Sequence, residues 1–143
     1  MQSQKLQFLL VEDDDNHAHL VLRNLATCGL HDNEVVRARD GAEALALLRA
    51  ALERADTRIP DLILLDLRLP KMDGLDVLDE IKSSARLRSI PVVILTTSDA
   101  ESDLERAYAA HANSYLVKPA DFDAFRTMMN DIGRYWGKWN RNI

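Results

Sequence analysis

Short apolar runs punctuate the chain, and each gap between them is long enough to hold a helix. Four runs are unbroken: FLLV (Phe8–Val11), LILL (Leu62–Leu65), VVIL (Val92–Leu95) and YLV (Tyr115–Val117). A weaker one, EVVRA around Val35 and Val36, lies between the first two. Unbroken apolar runs, in contrast to alternating ones, predict strands buried on both faces, as in a parallel sheet. The intervening stretches read as helices. HAHLVLRNLATCG ends at Gly29, a C-cap residue. GAEALALLRAALERA is rich in the best helix formers, and DGAEAL before it reads as a helix start with too little glycine for a nucleotide loop. GLDVLDEIKSS places Leu75, Leu78 and Ile81 at steps of three. SDAESDLERAYAAHA opens on the capping residues Ser98 and Asp99, and a last helix begins near Asp121. The order is β-α five times, which predicts a doubly wound α/β sandwich with right-handed crossovers.

Length and charge narrow the class. The chain has 143 residues, 47% hydrophobic and 29% charged, which suits one domain with an ordinary core. No apolar run approaches the ~20 residues that span a bilayer, and the start MQSQKLQFLL lacks the form of a signal peptide. The reading is a cytoplasmic protein with no membrane partner. Cys28 is the single cysteine, so no internal disulfide or cysteine cluster forms, and it reads as a small core residue. The net charge of −5 leaves no electrostatic footprint for a nucleic-acid partner.

Ligands of open parallel sheets bind beyond the carboxyl ends of the strands. Glu12, Asp13, Asp14 and Asp15 follow the first run, Asp66 follows LILL, Thr96, Thr97 and Ser98 follow VVIL, and Lys118 with Pro119 follows YLV. Carboxylates gathered at one edge repel unless a cation sits among them, and oxygen ligands favour Mg²⁺ or Ca²⁺. A metal, a lysine and a hydroxyl make a cradle for a phosphoryl group, and a spare aspartate can attack phosphorus to form an acyl phosphate. Phosphoryl transfer onto an aspartate is the chemistry these groups fit.

The stretches LLVEDD, LLDLRLPKMDG, LTTSD and SYLVKPA also resemble, in order and spacing, the motifs of response-regulator receiver domains, over roughly Leu6 to Asn130. The resemblance implies a (βα)₅ flavodoxin-like receiver fold over residues 5–130. It implies Asp66 as phosphoacceptor, Mg²⁺ as cofactor bound by Asp13, Asp66 and the backbone carbonyl of Arg68, and Glu12 acting through a bound water. The family's hydroxyl falls on Thr96, its lysine on Lys118 and its switch aromatic on Tyr115, with a cis Lys118–Pro119 bond. Arg68 and Ser98, each two residues beyond a motif residue, would flank the attacking water. Asp14 and Asp15 then read as acids of a helix N-terminus, and Thr97 as the poorer choice of hydroxyl. The partner implied is a sensor histidine kinase, and the chain's own chemistry would be confined to gaining and losing the phosphoryl group. A Mg²⁺-dependent aspartyl phosphohydrolase is disfavoured by Arg68, which stands where such enzymes place a second acid. A pseudo-receiver scaffold is disfavoured by the complete set of Glu12, Asp13, Asp66, Thr96 and Lys118.

Past the motifs, residues 131–143 read as an extension of the last helix with no output domain. Phe122, Phe125, Met129, Ile132, Trp136 and Trp139 form a heptad-like seam. Packing on the chain's own sheet explains it through about Ile132. Beyond that, Ile132, Tyr135, Trp136 and Trp139 suggest a homodimer surface, with Gly133 and Gly137 leaving an extended arm as the alternative. This tail and NSYLVKP look like the response regulators that serve phytochromes. His17, His19, His31 and His111 read as solvated.

Overall fold

The computed structural model describes residues 7–27, 34–54 and 59–136. Strands β1 (Gln7–Val11), β2 (Glu34–Ala38), β3 (Leu62–Leu65), β4 (Val92–Thr96) and β5 (Ser114–Val117) alternate with helices α1 (Asp15–Thr27), α2 (Gly41–Glu53), α3 (Gly74–Ser83), α4 (Glu101–Ala109) and α5 (Phe122–Arg134). All strand pairs are parallel and the sheet order is β2-β1-β3-β4-β5. The predicted α/β sandwich is therefore the observed one.

The sequence pattern follows from this order. β3 and β4 are wholly buried, because helices cover both of their faces. β5 lies at an edge and is only partly covered, as is β2, where Val36 is exposed. Alternate residues of each central strand feed separate cores. Leu9, Ile63, Leu65 and Ile94 meet Leu48, Leu75, Leu78 and Ile81 on one side. Phe8, Leu10, Leu62, Leu64 and Leu95 meet Ala18, Val21, Phe125 and Met129 on the other.

Several boundaries differ from the sequence reading. α4 starts at Glu101 with no side-chain cap, because its N-cap position falls on Ala100; Ser98 instead accepts the Ala100 N–H and donates to Asp103. Asp40, Asp73 and Asp121 do cap their helices, each accepting a backbone N–H from the first turn. Phe122, placed by the seam in the core, is 70% exposed at the first position of α5. Ile132, placed in a partner contact, is buried in the chain's own core, and Trp136 is half-buried against the same cluster. Gly133 is buried within α5, which runs unbroken through it. Cys28, Gly29, His31, Gly137 and Trp139 lie outside the described residues. Among the described residues no helix is long and apolar enough to cross a membrane.

Candidate functional site

The sheet ladder fixes the site. Glu12, Asp66 and Lys118 each stand one residue past a strand, yet their backbone N–H groups still pair with the neighbouring strand. Glu12 donates to the Ala38 carbonyl at 3.0 Å, Asp66 to Val11 at 3.1 Å and Lys118 to Thr96 at 2.7 Å. Three side chains from residues far apart in sequence are thereby aimed into one hollow. Arg37 of β2 braces its rim. Its guanidinium donates to the carbonyls of Glu12 (3.0 Å) and Asp13 (3.2 Å) and pairs with Asp15 at 2.8 Å, which holds the Asp15 carboxyl below its usual range. Asp14 takes the backbone N–H groups of Asn16 and His17, so it caps α1 as read from the sequence.

Glu12, Asp13 and Asp66 each bring a carboxylate oxygen to within 4.8 Å of the others. Glu12 and Asp66 are buried and Asp13 is exposed. Oxygen-only donors, partly open to water on one side, suit a hard divalent cation such as Mg²⁺. Lys118 is the internal counter-charge. Its Nζ donates to Glu12 Oε1 and, at 3.1 Å, to Asp66 Oδ2, and its side chain is almost wholly buried. Burial nevertheless pushes the Glu12 carboxyl up to about 7, against the hydrogen bond from Lys118 and with the help of the Asp66 charge. Asp66 Oδ1 accepts the Arg68 backbone N–H at 3.1 Å.

On the other side of Asp66 the groups form a chain. Thr96 is buried at the end of β4, while Thr97 is exposed. Thr96 Oγ1 accepts the Ser98 backbone N–H at 3.3 Å. Ser98 Oγ donates to Asp103 Oδ2 at 2.6 Å, and the Arg68 guanidinium reaches the same oxygen at 3.2 Å. Tyr115 donates its phenol to the Ser98 carbonyl at 2.9 Å, and burial raises that phenol above its usual range. Arg68 and Ser98, expected to flank a water beside Asp66, are thus both turned to Asp103 of α4. The Lys118–Pro119 bond is trans and not cis, in line with the intrinsic X-Pro preference of about 0.5–1 kcal/mol.

Sequence reading missed three participants. His17, read as solvated, places Nδ1 3.1 Å from Lys118 Nζ. Arg37 is hidden in the weakest strand, and Asp103 in a helix with ordinary acidic character. His17 falls in the first turn after the acids and Asp103 only five residues beyond Ser98, whereas Arg37 reaches back 25 residues to Glu12 and leaves no local trace.

Comparison with known proteins supplies the class. The pattern of the response regulator receiver domain matches residues 8–130. The chain is 48% identical over 134 residues to the probable methanogenesis regulatory protein FilR2 of Methanothrix harundinacea (strain 6Ac), covering 94% of this chain and 85% of that one. It is 43% identical over 128 residues to response regulator Rcp1 of Synechocystis sp. (strain ATCC 27184 / PCC 6803 / Kazusa), covering 90% and 86%. In three dimensions it resembles the phosphorylated cyanobacterial phytochrome response regulator RcpA, with a TM-score of 0.89, 41% identity and coverage of 96% and 98%. The Mn(2+)-bound form of response regulator Rcp1 is similar, at a TM-score of 0.88, 40% identity and coverage of 96% and 99%. A pattern matched over most of the sequence, on the sheet order and strand-end acids described above, makes the chain a member of the response regulator receiver domain family of two-component signalling.

Proposed function

We propose that the protein is a phosphoryl-accepting switch, charged on Asp66 by a sensor histidine kinase with Mg²⁺ as cofactor. One observation carries the reading: two buried carboxylates and an exposed one converge with a buried lysine at the ends of three parallel strands. That arrangement costs stability, since burial opposes the charge on Glu12, and a site that holds such a cost is a candidate for function. In the reaction an Asp66 oxygen attacks the phosphorus of a phosphohistidine. An O–P bond forms, the P–N bond breaks, and the imidazole leaves. Asp13, Asp66 and the Arg68 carbonyl would hold Mg²⁺, with Glu12 acting through water. When bound, the ion offsets negative charge shared between carboxylate and phosphoryl oxygens. Lys118 then donates to the new phosphoryl group and Thr96 supplies a hydroxyl hydrogen bond. Drawing Thr96 toward Asp66 loosens its hold on the Ser98 backbone, to which Tyr115 is tied, and the ring is free to turn inward. The chain's own chemistry ends with gain and loss of the phosphoryl group, and it takes place in the cytoplasm, where a kinase finds its ATP.

The test is intact mass after incubation with Mg²⁺ and either acetyl phosphate or phosphoramidate, beside Asp66→Asn. The expected result is one hydroxylamine-labile phosphoryl group on the native chain and none on the variant. A folded native chain left unmodified by both donors sinks the reading.

A phytochrome-type kinase is the partner supported by the likeness to the cyanobacterial phytochrome response regulator RcpA. A homodimer through the end of α5 is supported by exposed Tyr135, which stacks edge-on against Trp136 at 5.1 Å, and by a hollow of about 550 Å³ beside them, lined also by Val93, Leu116 and Met128. Sedimentation equilibrium is expected to show a dimer that Tyr135→Ser weakens about 10-fold, the effect of losing one well-buried aromatic anchor. A native monomer at high concentration removes the dimer.

A further inference from the structure

A lysine ammonium has three donors and no acceptor. Two of those on Lys118 go to Glu12 Oε1 and Asp66 Oδ2. The third group within reach is His17 Nδ1, at 3.1 Å. Because Lys118 can only donate, a hydrogen bond between the two requires the facing His17 nitrogen to be the bare one, with the ring proton on Nε2. The ring also lies beside Glu12, with Nδ1 3.9 Å from Oε1. Its own backbone is held, since the His17 N–H donates to Asp14 Oδ1 at 3.1 Å. The side chain is 37% exposed, so core packing does not account for its orientation.

We infer that His17 is a positioning residue for Lys118, a neutral third acceptor that sets where the ammonium points. The inference rests on the proposed role of Asp66 and Lys118. Lysine is a compact charge on a flexible stem. Held by two carboxylates alone, it settles wherever their combined pull is strongest, with nothing to fix it about the line between them. A third carboxylate would fix the ammonium at the cost of more negative charge beside an incoming dianion. An imidazole nitrogen fixes it and adds no charge. His17 therefore orients the donor for Asp66 chemistry without changing the site's electrostatic balance.

The readouts are two. Nitrogen-15 spectra of the imidazole in the native chain are expected to show the Nε2–H tautomer, with an Nδ1 signal that shifts in Lys118→Met. Phosphorylation by acetyl phosphate at saturating Mg²⁺ is expected to fall about 10-fold in limiting rate in His17→Leu, because misplacing an electrostatic donor acts on the transition state. The donor concentration at half-rate should change less than about twofold, as expected for a contact that matters in the transition state. His17→Asn keeps an acceptor near the Nδ1 position and is expected to stay within about twofold of the native rate. A native rate in His17→Leu, an equal loss in His17→Asn, or the Nδ1–H tautomer overturns the inference. A native chain that takes up no phosphoryl group fails on Asp66 instead, and the nitrogen spectra still decide whether His17 holds Lys118.

Discussion

Lys118→Met is expected to cost the folded protein about 3 kcal/mol near pH 8, the scale for breaking a buried ion pair from one side. The variant keeps the stem and removes a cation that touches both Glu12 and Asp66. The loss should shrink toward acid, and the sign follows from Glu12. Its folded carboxyl titrates at about 7 against an ordinary 4.5, so between those values the folded state holds a proton that the unfolded state has released. Stability of the native chain therefore falls as pH rises from 4.5 to about 7, by up to about 1.36 kcal/mol for each pH unit crossed. Removing Lys118 removes the contact that lowers the Glu12 value, so in the variant the decline continues above 7. Urea unfolding in chelator at about pH 8 and about pH 5.5 checks this. A deficit that is equal at both pH values, or larger in acid, would show that the Lys118–Glu12 contact does not govern the site.

Gly74→Ala is expected to be as damaging for a different reason. A Cβ on Gly74 would lie 2.3 Å from the Asp66 carbonyl oxygen and 2.6 Å from Leu67 Cα, both backbone atoms. The Gly74 N–H donates to the Leu67 carbonyl at 3.1 Å, so the start of α3 is bonded to the segment that it would have to leave. Overpacking ordinarily costs about 1–3 kcal/mol, and a clash with backbone belongs at or above the top of that range. Gly41→Ala meets Val77 Cγ2 at 2.5 Å and Met72 Cβ at 3.2 Å, side-chain atoms that yield more readily. Urea midpoints should place Gly74→Ala well below Gly41→Ala, and Asp66 phosphorylation should slow only in the former. Equal midpoints would mean that the α3 start moves aside at little cost.

What the sequence made legible was whatever repeats or sits next to something that repeats. The unbroken runs of β3 and β4 announce burial on both faces, and Asp66 is conspicuous because an acid interrupts that apolar context. Glu12 and Lys118 are readable for the same reason, each being the first polar residue after a strand. Thr96 reads as following β4 but is its last residue, a difference of one position that leaves its side chain buried at the strand end. The contacts of Ser98 with Asp103, and of Asp103 with Arg68, were not legible. The first depends on the path of the turn into α4 and the second brings that helix to the residue two past Asp66, neither of which periodicity encodes. Phe122 misled because a heptad count does not show which residue opens the helix, and at that first position the ring stays exposed.

The ladder that aims the site also sets when it can first exist. Lys118 lies 52 residues beyond Asp66 and 106 beyond Glu12. At a synthesis rate of about 5–20 residues per second, the chain emerges with both acids made and their counter-charge still roughly 3–10 s away. Throughout that interval β1, β2 and β3 can pair, but the carboxylates at their ends must stay wet or protonated, because their ammonium has not been made. Closure of the sheet by β5 and neutralisation of the acids are the same event, so a newborn chain acquires its lysine-bridged pair of acids only when its last strand docks.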